Sequence, residues 1–368
     1  MKYYIIAGEA SGDLHASNLM KSLKKKDPDA EFRFWGGDLM MEVAGSDPVK
    51  HYRDLAFMGF LEVAKNLRTI FRNIKLCKAD IRNYSPDVLI LVDYPGFNLR
   101  IAEFAKNLGI KVIYYISPQL WAWKEGRVKK IQKFVDEMLV ILPFEKDFYK
   151  KHEVDAHFIG HPLLDAISVL KPVDASEFRA EHGLNSKEII ALLPGSREQE
   201  VTKMLEIMLS VRPFFQEYQF VIAGAPSLPA SFYQKYVDEN VHFVSNKTYD
   251  LLRCSKAALV TSGTATLETA LLDIPEVVCY RSSRVSYEIG KRVVKDLKFI
   301  SLVNLIMDRK IVTELIQDEL TTQNLTRELT NILDGKDREK MLSEFAMLRE
   351  KLGGSGASDV AADIIVNG

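Results

Sequence analysis

The sequence predicts an α/β protein with two Rossmann-like domains, each a doubly wound parallel sheet, that face a central cleft. Short apolar runs typical of buried strands alternate with amphipathic helical stretches along the chain. The alternation stops in a polar stretch near the middle of the chain and then starts again, which indicates a second sheet. The length of 368 residues also favours two domains, at about 150 residues for each.

The first predicted domain spans residues 1–165. Its buried strands are expected at Tyr3–Ala7, Phe32–Trp35, Val88–Val92, Lys111–Ile116, Glu137–Leu142 and His157–Ile159. Helical periodicity lies between them at about Ser17–Lys26, Gly59–Asn83, Leu99–Leu108 and Gly126–Phe134. Since strands and helices alternate, this half of the chain is expected to form one parallel sheet covered by helices.

The second predicted domain spans residues 166–343. A linker is expected at about Asp165–Ser186, which is rich in Pro, Ser and Asp. The strands beyond it are expected at Ile189–Leu193, Gln219–Ala223, Val241–Val244, Ala257–Val260 and Glu276–Tyr280. Ligands of open α/β sheets bind outside the carboxyl ends of the strands, so candidate residues are sought in the loops that follow strands.

Composition excludes several classes of protein. With 47% hydrophobic and 27% charged residues the chain can bury ordinary globular cores, which excludes disordered, collagen-like and coiled-coil proteins. Its 49 basic and 50 acidic residues give a net charge of -1. A protein without a global positive field has no general attraction for nucleic acid, so we expect no nucleic-acid partner.

Cysteine usage and hydropathy favour a cytoplasmic location. Cys77, Cys254 and Cys279 form no C-x-x-C pair, so neither a zinc site nor a disulfide framework is expected. The apolar run at the N-terminus meets Gly8 and Glu9 almost at once and has no signal-peptide core. No run approaches the ~20 apolar residues that span a bilayer. Any contact with a membrane is therefore expected at its surface.

The first strand is followed by the loop Gly8–Asp13, which opens a helix. Small residues at such a position let a ligand approach the backbone N–H groups of the helix N-terminus. Glu9, Ser11 and Gly12 are the candidate residues of this loop. The alternative is a tight turn in which Ser11 or Asp13 caps the helix.

Later strands of the first domain also end in polar or aromatic residues. Asp93 follows Val88–Val92, where a carboxylate facing the cleft could take a proton from an alcohol. Trp121 and Trp123 could line a sugar or lipid site, and His161 lies near the predicted hinge. The alternatives are a capping or turn role for Asp93, a core position for either Trp and a structural role for His161.

Two loops of the second domain have the composition of phosphate sites. Gly195, Ser196 and Arg197 supply amide and hydroxyl donors and a positive charge after one strand. The second loop begins a helix and contains small and hydroxyl residues, namely Ser262, Gly263, Thr264, Ala265 and Thr266. Two such cradles indicate a nucleoside diphosphate, and Glu268 could accept the two ribose hydroxyls. Helix capping and turn geometry are the alternative for each loop.

The stretch Gly59–Arg82 has the pattern of a basic amphipathic helix. Its apolar positions are Leu67, Ile70, Ile74, Cys77 and Ile81, and its basic positions are Lys65, Arg68, Arg72 and Lys75. This layout suits a helix that rests on anionic lipid. Every helix that covers a sheet is amphipathic, however, and periodicity alone favours that structural interpretation.

Taken together and in order, these motifs resemble the lipid-A-disaccharide synthase family, inverting glycosyltransferases of lipid A biosynthesis with the GT-B fold. The resemblance covers about four fifths of the chain. It is carried by Gly8–Asp13, Phe57–Val63, Asp93 with Pro95 and Phe97–Asn98, Ser117–Pro118 with Trp121–Trp123, Leu142–Glu145, Phe158–Pro162, Leu193–Arg197, Ser262–Glu268 and Leu302–Leu305.

The resemblance implies a reaction and roles for residues. The glucosaminyl group of UDP-2,3-diacylglucosamine would pass to the 6-hydroxyl of 2,3-diacylglucosamine 1-phosphate (lipid X) with inversion, without a metal or other cofactor. Asp93 matches the proposed general base of the family. The two phosphate loops and Glu268 match its UDP site, with Asn304 and Gln317 beside it. Some relatives carry a second Asp just after Asp93, where this chain has Tyr94–Gly96, so Asp93 is left as the only carboxylate candidate.

The acylated substrates implied by the resemblance change the interpretation of the first domain. Glu9, Ser11, Gly12, Met58, Trp121, Trp123 and His161 are expected on the acceptor side. Membrane contact is expected at Lys65, Leu67, Arg68, Ile70, Phe71, Arg72, Ile74 and Lys75, on the cytoplasmic face of the inner membrane. These expectations reverse the interpretation that periodicity favours for the basic helix.

Residues at about 344–368 are expected to cross back to the first domain, or to reach a partner chain in a swapped homodimer. Two other functions remain as alternatives. One is a UDP-sugar 2-epimerase or another GT-B enzyme, because the fold and a UDP site do not define the reaction. The other is a non-catalytic UDP-sugar-binding protein.

Overall fold

The computed structural model describes residues 1–55, 67–121, 125–282 and 298–368. The chain divides into two compact units. Unit 1 contains Met1–Ser168 and Leu352–Gly368, and unit 2 contains Val169–Lys351. The sequence placed the two boundaries slightly earlier, after residues 165 and 343.

Unit 1 is built on a seven-stranded parallel sheet in the order β3-β2-β1-β4-β5-β6-β7. The strands are β1 (Lys2–Ala7), β2 (Glu31–Gly36), β3 (Lys50–His51), β4 (Val88–Val92), β5 (Lys111–Tyr115), β6 (Glu137–Val140) and β7 (Ala156–Phe158). The described helices are α1 (Ala10–Lys26), α2 (Asp38–Ala44), α3 (Leu67–Tyr84), α4 (Pro95–Asn107), α5 (Val128–Phe134), α6 (Pro143–Lys151) and α7 (Pro162–Ser168).

The register of the central strands determines which loops of unit 1 are neighbours. Ala7 at the end of β1 pairs with Val92 at the end of β4. Every residue of Val88–Val92 is buried, as expected for a strand covered on both faces. The loop after β1 and the loop after β4 therefore begin side by side at the carboxyl edge of the sheet.

Unit 2 contains a six-stranded parallel sheet in the order β10-β9-β8-β11-β12-β13. The strands are β8 (Glu188–Leu193), β9 (Tyr218–Gly224), β10 (Val241–Ser245), β11 (Ser255–Thr261), β12 (Glu276–Tyr280) and β13 (Thr313–Ile316). The described helices are α8 (Ala175–Glu181), α9 (Glu198–Leu209), α10 (Ala230–Tyr233), α11 (Thr248–Arg253), α12 (Thr264–Leu271), α13 (Leu302–Met307), α14 (Thr322–Leu333) and α15 (Lys336–Lys351). Leu193 of β8 pairs with Val260 of β11, which places the two predicted phosphate loops at one edge.

The structure confirms two parallel-sheet α/β units, but the predicted linker at Asp165–Ser186 is wrong in part. Helix α8 lies within it, and Phe178 of that helix is only 4% exposed in the hydrophobic core of unit 2. Asp174 caps α8 by accepting hydrogen bonds from the amides of Ser176 and Glu177. A polar composition that reads as a linker thus belongs largely to a capped surface helix.

The C-terminal helix α16 (Ala357–Asn367) packs on α1 of the same chain. Ser22 donates a 2.6 Å hydrogen bond to Asp359, and Lys26 forms a 2.7 Å ion pair with Asp363. Asp165 accepts from the backbone amide of Ser358, in the first turn of α16, at 2.8 Å. Residues 344–351 belong instead to α15 in unit 2, so the returning segment is shorter than expected. The swapped homodimer stays a prediction.

Within the described ranges, no helix is both long enough and apolar enough to cross a bilayer.

Candidate functional site

The carboxyl edge of unit 1 brings two carboxylates together. Asp93 directly follows β4, and Glu9 is the N-cap residue of α1 after the neighbouring strand β1. Burial, and after it the negative charge of Glu9, raise the pKa of Asp93 to about 7. The sequence left Asp93 as the only carboxylate candidate for the base, and the structure adds Glu9 as a neighbouring negative charge that acts on its pKa.

The backbone at Asp93 is held in a conformation that few residues adopt. Asp93 and Tyr94 have φ values of 42° and 48°, in the left-handed region, which costs of order 1 kcal/mol or more for a residue with a side chain. The carbonyl of Asp93 accepts hydrogen bonds from the Asn98 amide at 2.7 Å and the Tyr114 hydroxyl at 2.6 Å. These two bonds hold the turn in place, and sequence reasoning did not assign Tyr114 to the site.

Gly8 and Gly12 allow the close packing around this turn. A Cβ atom on Gly8 would lie 2.5 Å from the ring of Tyr94, so only glycine fits beneath that ring. A Cβ on Gly12 would lie 3.3 Å from Cβ of Ala7. Ser11, beside Gly12, is exposed. The loop after β1 thus lets α1 and the Asp93 turn approach one another.

The expected alternative, in which Ser11 or Asp13 caps α1, is wrong. Glu9 occupies the N-cap position, and no side chain caps the helix. Asp13 is buried and instead accepts hydrogen bonds from the amides of Gly37 at 2.7 Å and Met40 at 3.2 Å. Its carboxylate therefore stabilises the start of α2.

Trp121 is half-buried beside a buried carboxyl group. Its indole N–H donates a 3.2 Å hydrogen bond to Glu145, and its ring meets Phe144 edge-on at 4.9 Å. Glu145 also accepts from the amide of Leu142, and burial raises the pKa of this carboxyl to about 7. Trp123 lies outside the described residues, so the predicted pair of Trp side chains is described at Trp121 alone.

His161 lies beneath the returning C-terminal segment. It is 2% exposed, its Nδ1 accepts from the amide of Leu163, and its own amide donates to the carbonyl of Leu352. Burial, and after it the nearby His15, lower the pKa of His161 to about 3. These contacts favour the structural alternative over a place on the acceptor side.

In unit 2, the loop after β8 has an exposed surface next to the start of α9. Gly195 has a φ of 104°, and a Cβ there would meet the Glu200 carboxylate at 2.4 Å. Glu200 accepts a 3.2 Å hydrogen bond from the Ser196 amide, while Arg197 is the exposed N-cap residue of α9. The loop thus presents a guanidinium at a helix N-terminus, where anions are stabilised.

In the loop after β11, two hydroxyl side chains bond within the protein, whereas residues at the start of α12 are exposed. Ser262 donates its hydroxyl to the carbonyl of Ile300 at 3.0 Å, and the buried Thr266 donates to the carbonyl of Gly263 at 2.9 Å. Gly263 and Thr264 are exposed. Because the first N–H groups of a helix have no partner within it, the backbone at the start of α12 is the part of this loop suited to a phosphate.

Glu268 lies one helical turn into α12 and is half-buried. Its Oε1 accepts a 3.0 Å hydrogen bond from the hydroxyl of Tyr249 on α11. Burial raises the pKa of Glu268, and the bond from Tyr249 opposes that effect. Ala265, between the phosphate loop and Glu268, is partly buried.

Asn304, which was expected beside the UDP site, uses its side-chain amide in hydrogen bonds within unit 2. It is fully buried, and its amide nitrogen donates to the carbonyl of Val312 and to Glu314, both at 2.9 Å. Its oxygen accepts from the amides of Ile311 and Val312. With both ends of the amide occupied, Asn304 holds α13 against β13.

Gln317 lies directly after β13 and donates a 3.0 Å hydrogen bond to Ser282. The carbonyl of Gln317 accepts from Arg281 at the end of β12. Sequence reasoning missed Glu314, which accepts from the amides of Ile300 and Ser301 and so holds the segment that Ser262 contacts. Its only sequence signal is a single acid in a short apolar run.

The predicted membrane face of unit 1 is corrected in part. Ile74, Cys77 and Ile81 of α3 are buried, and Ile70 packs against the same core. The exposed side chains of α3 include Arg68, Phe71, Arg72, Lys75 and Leu76, with Phe71 61% exposed. The apolar stripe thus covers the sheet, while a basic face with two exposed apolar residues remains. Met58, Lys65 and the side chain of Leu67 lie outside what the structure describes.

Among the described residues, no group of three or more His, Cys, Asp and Glu side chains could hold a metal ion.

Comparisons with known proteins show which family this chain is similar to. A family model described as lipid-A-disaccharide synthetase matches residues 3–363. A lipid-A-disaccharide synthase of Geobacter metallireducens is 39% identical over 98% of this chain and 96% of its own length. That of Syntrophus aciditrophicus is 40% identical over 97% and 95%. That of Coxiella burnetii is 36% identical over 99% and 97%.

Solved structures are similar in fold at low sequence identity. The UDP-GlcNAc 2-epimerase of Methanocaldococcus jannaschii, solved with UDP-GlcNAc and UDP, matches with a TM-score of 0.68 at 12% identity over the whole of both chains. A glycotransferase of kitacinnamycin matches with a TM-score of 0.67 at 13% identity, over 100% of this chain and 98% of its own. These similarities confirm the predicted fold class.

Proposed function

The chain belongs to the lipid-A-disaccharide synthetase family, and from that membership we infer that it is a glycosyltransferase that forms the lipid A disaccharide. The donor proposed is UDP-2,3-diacylglucosamine and the acceptor is the 6-hydroxyl of 2,3-diacylglucosamine 1-phosphate. The new bond joins the acceptor oxygen to the anomeric carbon of the donor. The bond from that carbon to the β-phosphate oxygen breaks, and UDP leaves with its electron pair.

Asp93 is proposed as the general base that takes the proton of the acceptor hydroxyl. The observation that carries this role is its place at the carboxyl end of β4, in a held turn, with a pKa raised to about 7 by burial and by Glu9. A base of that pKa is ionised in part at neutral pH and is a much stronger acceptor than an ordinary aspartate. Inversion requires one such group opposite the leaving UDP.

Unit 2 is proposed to bind the UDP part of the donor. Arg197 at the start of α9 and the backbone amides at the start of α12 supply positive charge and donors. Such groups stabilise the charge that develops on the diphosphate as UDP departs. Glu268 is proposed to accept the ribose hydroxyls, and Gln317 lies beside this site at the end of β13.

One assay tests the whole reaction. The purified full chain is incubated with UDP-2,3-diacylglucosamine and lipid X, and the products are identified by mass spectrometry. The expected result is equal amounts of UDP and a β-1,6-linked disaccharide 1-phosphate. Recovery of UDP-sugar changed only at carbon 2 would support an epimerase instead. Binding of the UDP-sugar without any product would support a non-catalytic protein.

The epimerase alternative rests on fold similarity at 12–14% identity, which shows the fold alone. The relatives of 35–40% identity that span nearly the whole chain carry the synthase name instead. The comparisons therefore favour the synthase.

Glu9→Gln is expected to move the acidic limb of the kcat/KM profile to lower pH. Asp93 acts when ionised, so activity falls as pH decreases through its pKa, about 7 in the native chain. Removing the negative charge of Glu9 lets the Asp93 carboxyl ionise more easily, which shifts the limb down by roughly half a unit to one unit. The acidic limb should still lie above the usual pKa range of an aspartate, because burial is the larger cause of the raised pKa of Asp93.

The matched control is Glu42→Gln, which neutralises an exposed acid of α2 in the same unit. It should leave the limb in place. An acidic limb that also stays in place in the Glu9→Gln enzyme would show that the two carboxylates do not interact during turnover.

The exposed basic face of α3 is proposed to contact anionic lipid. Changing Arg68, Arg72 and Lys75 together to Glu is expected to lower binding to vesicles that contain phosphatidylglycerol by at least about tenfold. Each basic residue near such a surface contributes roughly 1 kcal/mol. Cosedimentation at low and high salt measures the effect, and the native chain should lose affinity as salt rises.

The control for this experiment reverses three exposed lysines elsewhere in unit 1, Lys146, Lys150 and Lys151 of α6. It changes the net charge by the same amount. Equal losses in the two triple variants would mean that binding follows net charge alone, and α3 would then be an ordinary sheet-covering helix.

A further inference from the structure

We propose that Tyr249 is a positioning residue for Glu268 and that, through it, the site distinguishes ribose from deoxyribose in the nucleotide. The proposal rests on the proposed role of Glu268 as acceptor of the ribose hydroxyls. It deepens that role by adding a residue that orients Glu268. Tyr249 itself is assigned no contact with the ligand.

The geometry places the tyrosine hydroxyl on one oxygen of the carboxylate. Tyr249 lies in the first turn of α11, and Glu268 lies on α12. The hydroxyl donates to Oε1 of Glu268 at 3.0 Å, an ordinary distance for a bond between O–H and a carboxylate. The two side chains come from different helices and are 19 residues apart in sequence.

A fixed carboxylate is what recognition of a diol requires. A free glutamate side chain loses rotamer entropy when it is immobilised. Because Tyr249 holds one oxygen before the nucleotide arrives, part of that cost is met in advance. An ionised carboxylate has about four acceptor positions. One bond to Tyr249 therefore leaves enough acceptor positions for the 2′ and 3′ hydroxyls.

The same bond favours the ionised form of the Glu268 carboxyl group. Burial raises the pKa of Glu268, and a donor to the carboxylate opposes that effect. Tyr249 itself remains a donor, since burial and the charge of Glu268 raise the pKa of its hydroxyl well above the usual value. A charged acceptor forms stronger hydrogen bonds with hydroxyls than a neutral acid does.

The test measures affinity for UDP and 2′-deoxy-UDP by calorimetry on the full-length protein. The native chain is expected to prefer UDP by roughly tenfold or more, the size of one hydrogen bond to a charged group. Tyr249→Phe should lose most of that preference, and Glu268→Gln should lose nearly all of it. The double variant should match Glu268→Gln, because Tyr249 acts only through Glu268. In turnover, Tyr249→Phe should raise the donor KM with little change in kcat.

Two probes separate positioning from general damage. Inorganic pyrophosphate has no ribose, so it is expected to bind at the phosphate loops without using Glu268. Tyr249→Phe should therefore bind pyrophosphate as the native chain does. Tyr218→Phe, at the amino end of β9, is the matched control and should keep the full preference for UDP.

Each remaining outcome contradicts a specific step. If Tyr249→Phe keeps the preference while Glu268→Gln loses it, the positioning role is wrong and the ribose role stands. If Glu268→Gln also keeps the preference, the ribose role of the proposed function is wrong. If Tyr249→Phe weakens pyrophosphate and UDP equally, Tyr249 supports the fold rather than the carboxylate.

Discussion

Asp93→Asn is expected to lower kcat by about 10²- to 10⁴-fold, the usual contribution of a general base, while affinity for UDP stays close to that of the native chain. The amide of Asn has the shape of the carboxyl group but cannot take a proton from the acceptor hydroxyl. Asn also tolerates the left-handed backbone that Asp93 adopts, with φ at 42°. The variant therefore removes the base without adding strain to the turn.

The measurement combines single-turnover rates with UDP binding. Asp47→Asn, an exposed acid of the same unit, is the control and should keep native turnover. Asp93→Ala adds a residue less suited to the turn and is expected to lower the melting temperature as well. If the Asp93→Asn enzyme turns over within about threefold of the native one, Asp93 is not the base.

The local sequence pattern was sufficient to predict most strands of the two sheets. Val88–Val92 and Glu276–Tyr280 were predicted to the residue, because a short buried strand is a nearly continuous apolar run. Strand β13 was missed because Thr313–Ile316 carries Glu314 in its middle. That acid is acceptable in a strand only because the amides of Ile300 and Ser301 and the side chain of Asn304 hydrogen-bond to it. No local pattern reveals those partners.

Glu9 and Asp93 show that local sequence pattern also cannot reveal which residues of the candidate site are neighbours. Each residue was a candidate from its place after a strand. That β1 lies next to β4, with Ala7 opposite Val92, is a property of the sheet order. Asn304 was a candidate because it is a polar residue in a family motif, and the motif did not reveal that its side-chain amide is hydrogen-bonded inside unit 2.

The chemistry of the two sheet edges supports the assignment of donor and acceptor. Unit 1 presents Glu9 and Asp93 at its carboxyl edge, and negative charge on these two side chains repels a diphosphate at the N-terminus of α1. Unit 2 presents Arg197 and the N-termini of α9 and α12 at its own edge, where an anion is stabilised. The proposed base and the proposed phosphate donors therefore belong to different units.

Arg197→Ala is expected to weaken UDP binding by roughly 10- to 100-fold, since a hydrogen bond to a charged group contributes about 1.5–3 kcal/mol. It should also lower kcat by about 10²- to 10³-fold, because the guanidinium acts on charge that grows as UDP departs. The effect on kcat separates Arg197 from a residue that only binds the ground state. Asp93→Asn should leave UDP affinity intact, so the two variants should differ in binding and agree in lost turnover.

Arg212→Ala is the matched control, since Arg212 is a basic residue of the same unit that pairs with Asp238 away from the phosphate loops. It should keep UDP affinity and turnover. Arg197→Lys should recover part of the affinity but little of the rate, because an ammonium cannot reproduce the planar two-donor contact of a guanidinium with a phosphate. The native enzyme and the variants Arg197→Ala, Arg197→Lys and Arg212→Ala are assayed in EDTA and again with added magnesium. Turnover that disappears in EDTA and returns with the metal would assign the leaving-group charge to a cation instead of Arg197.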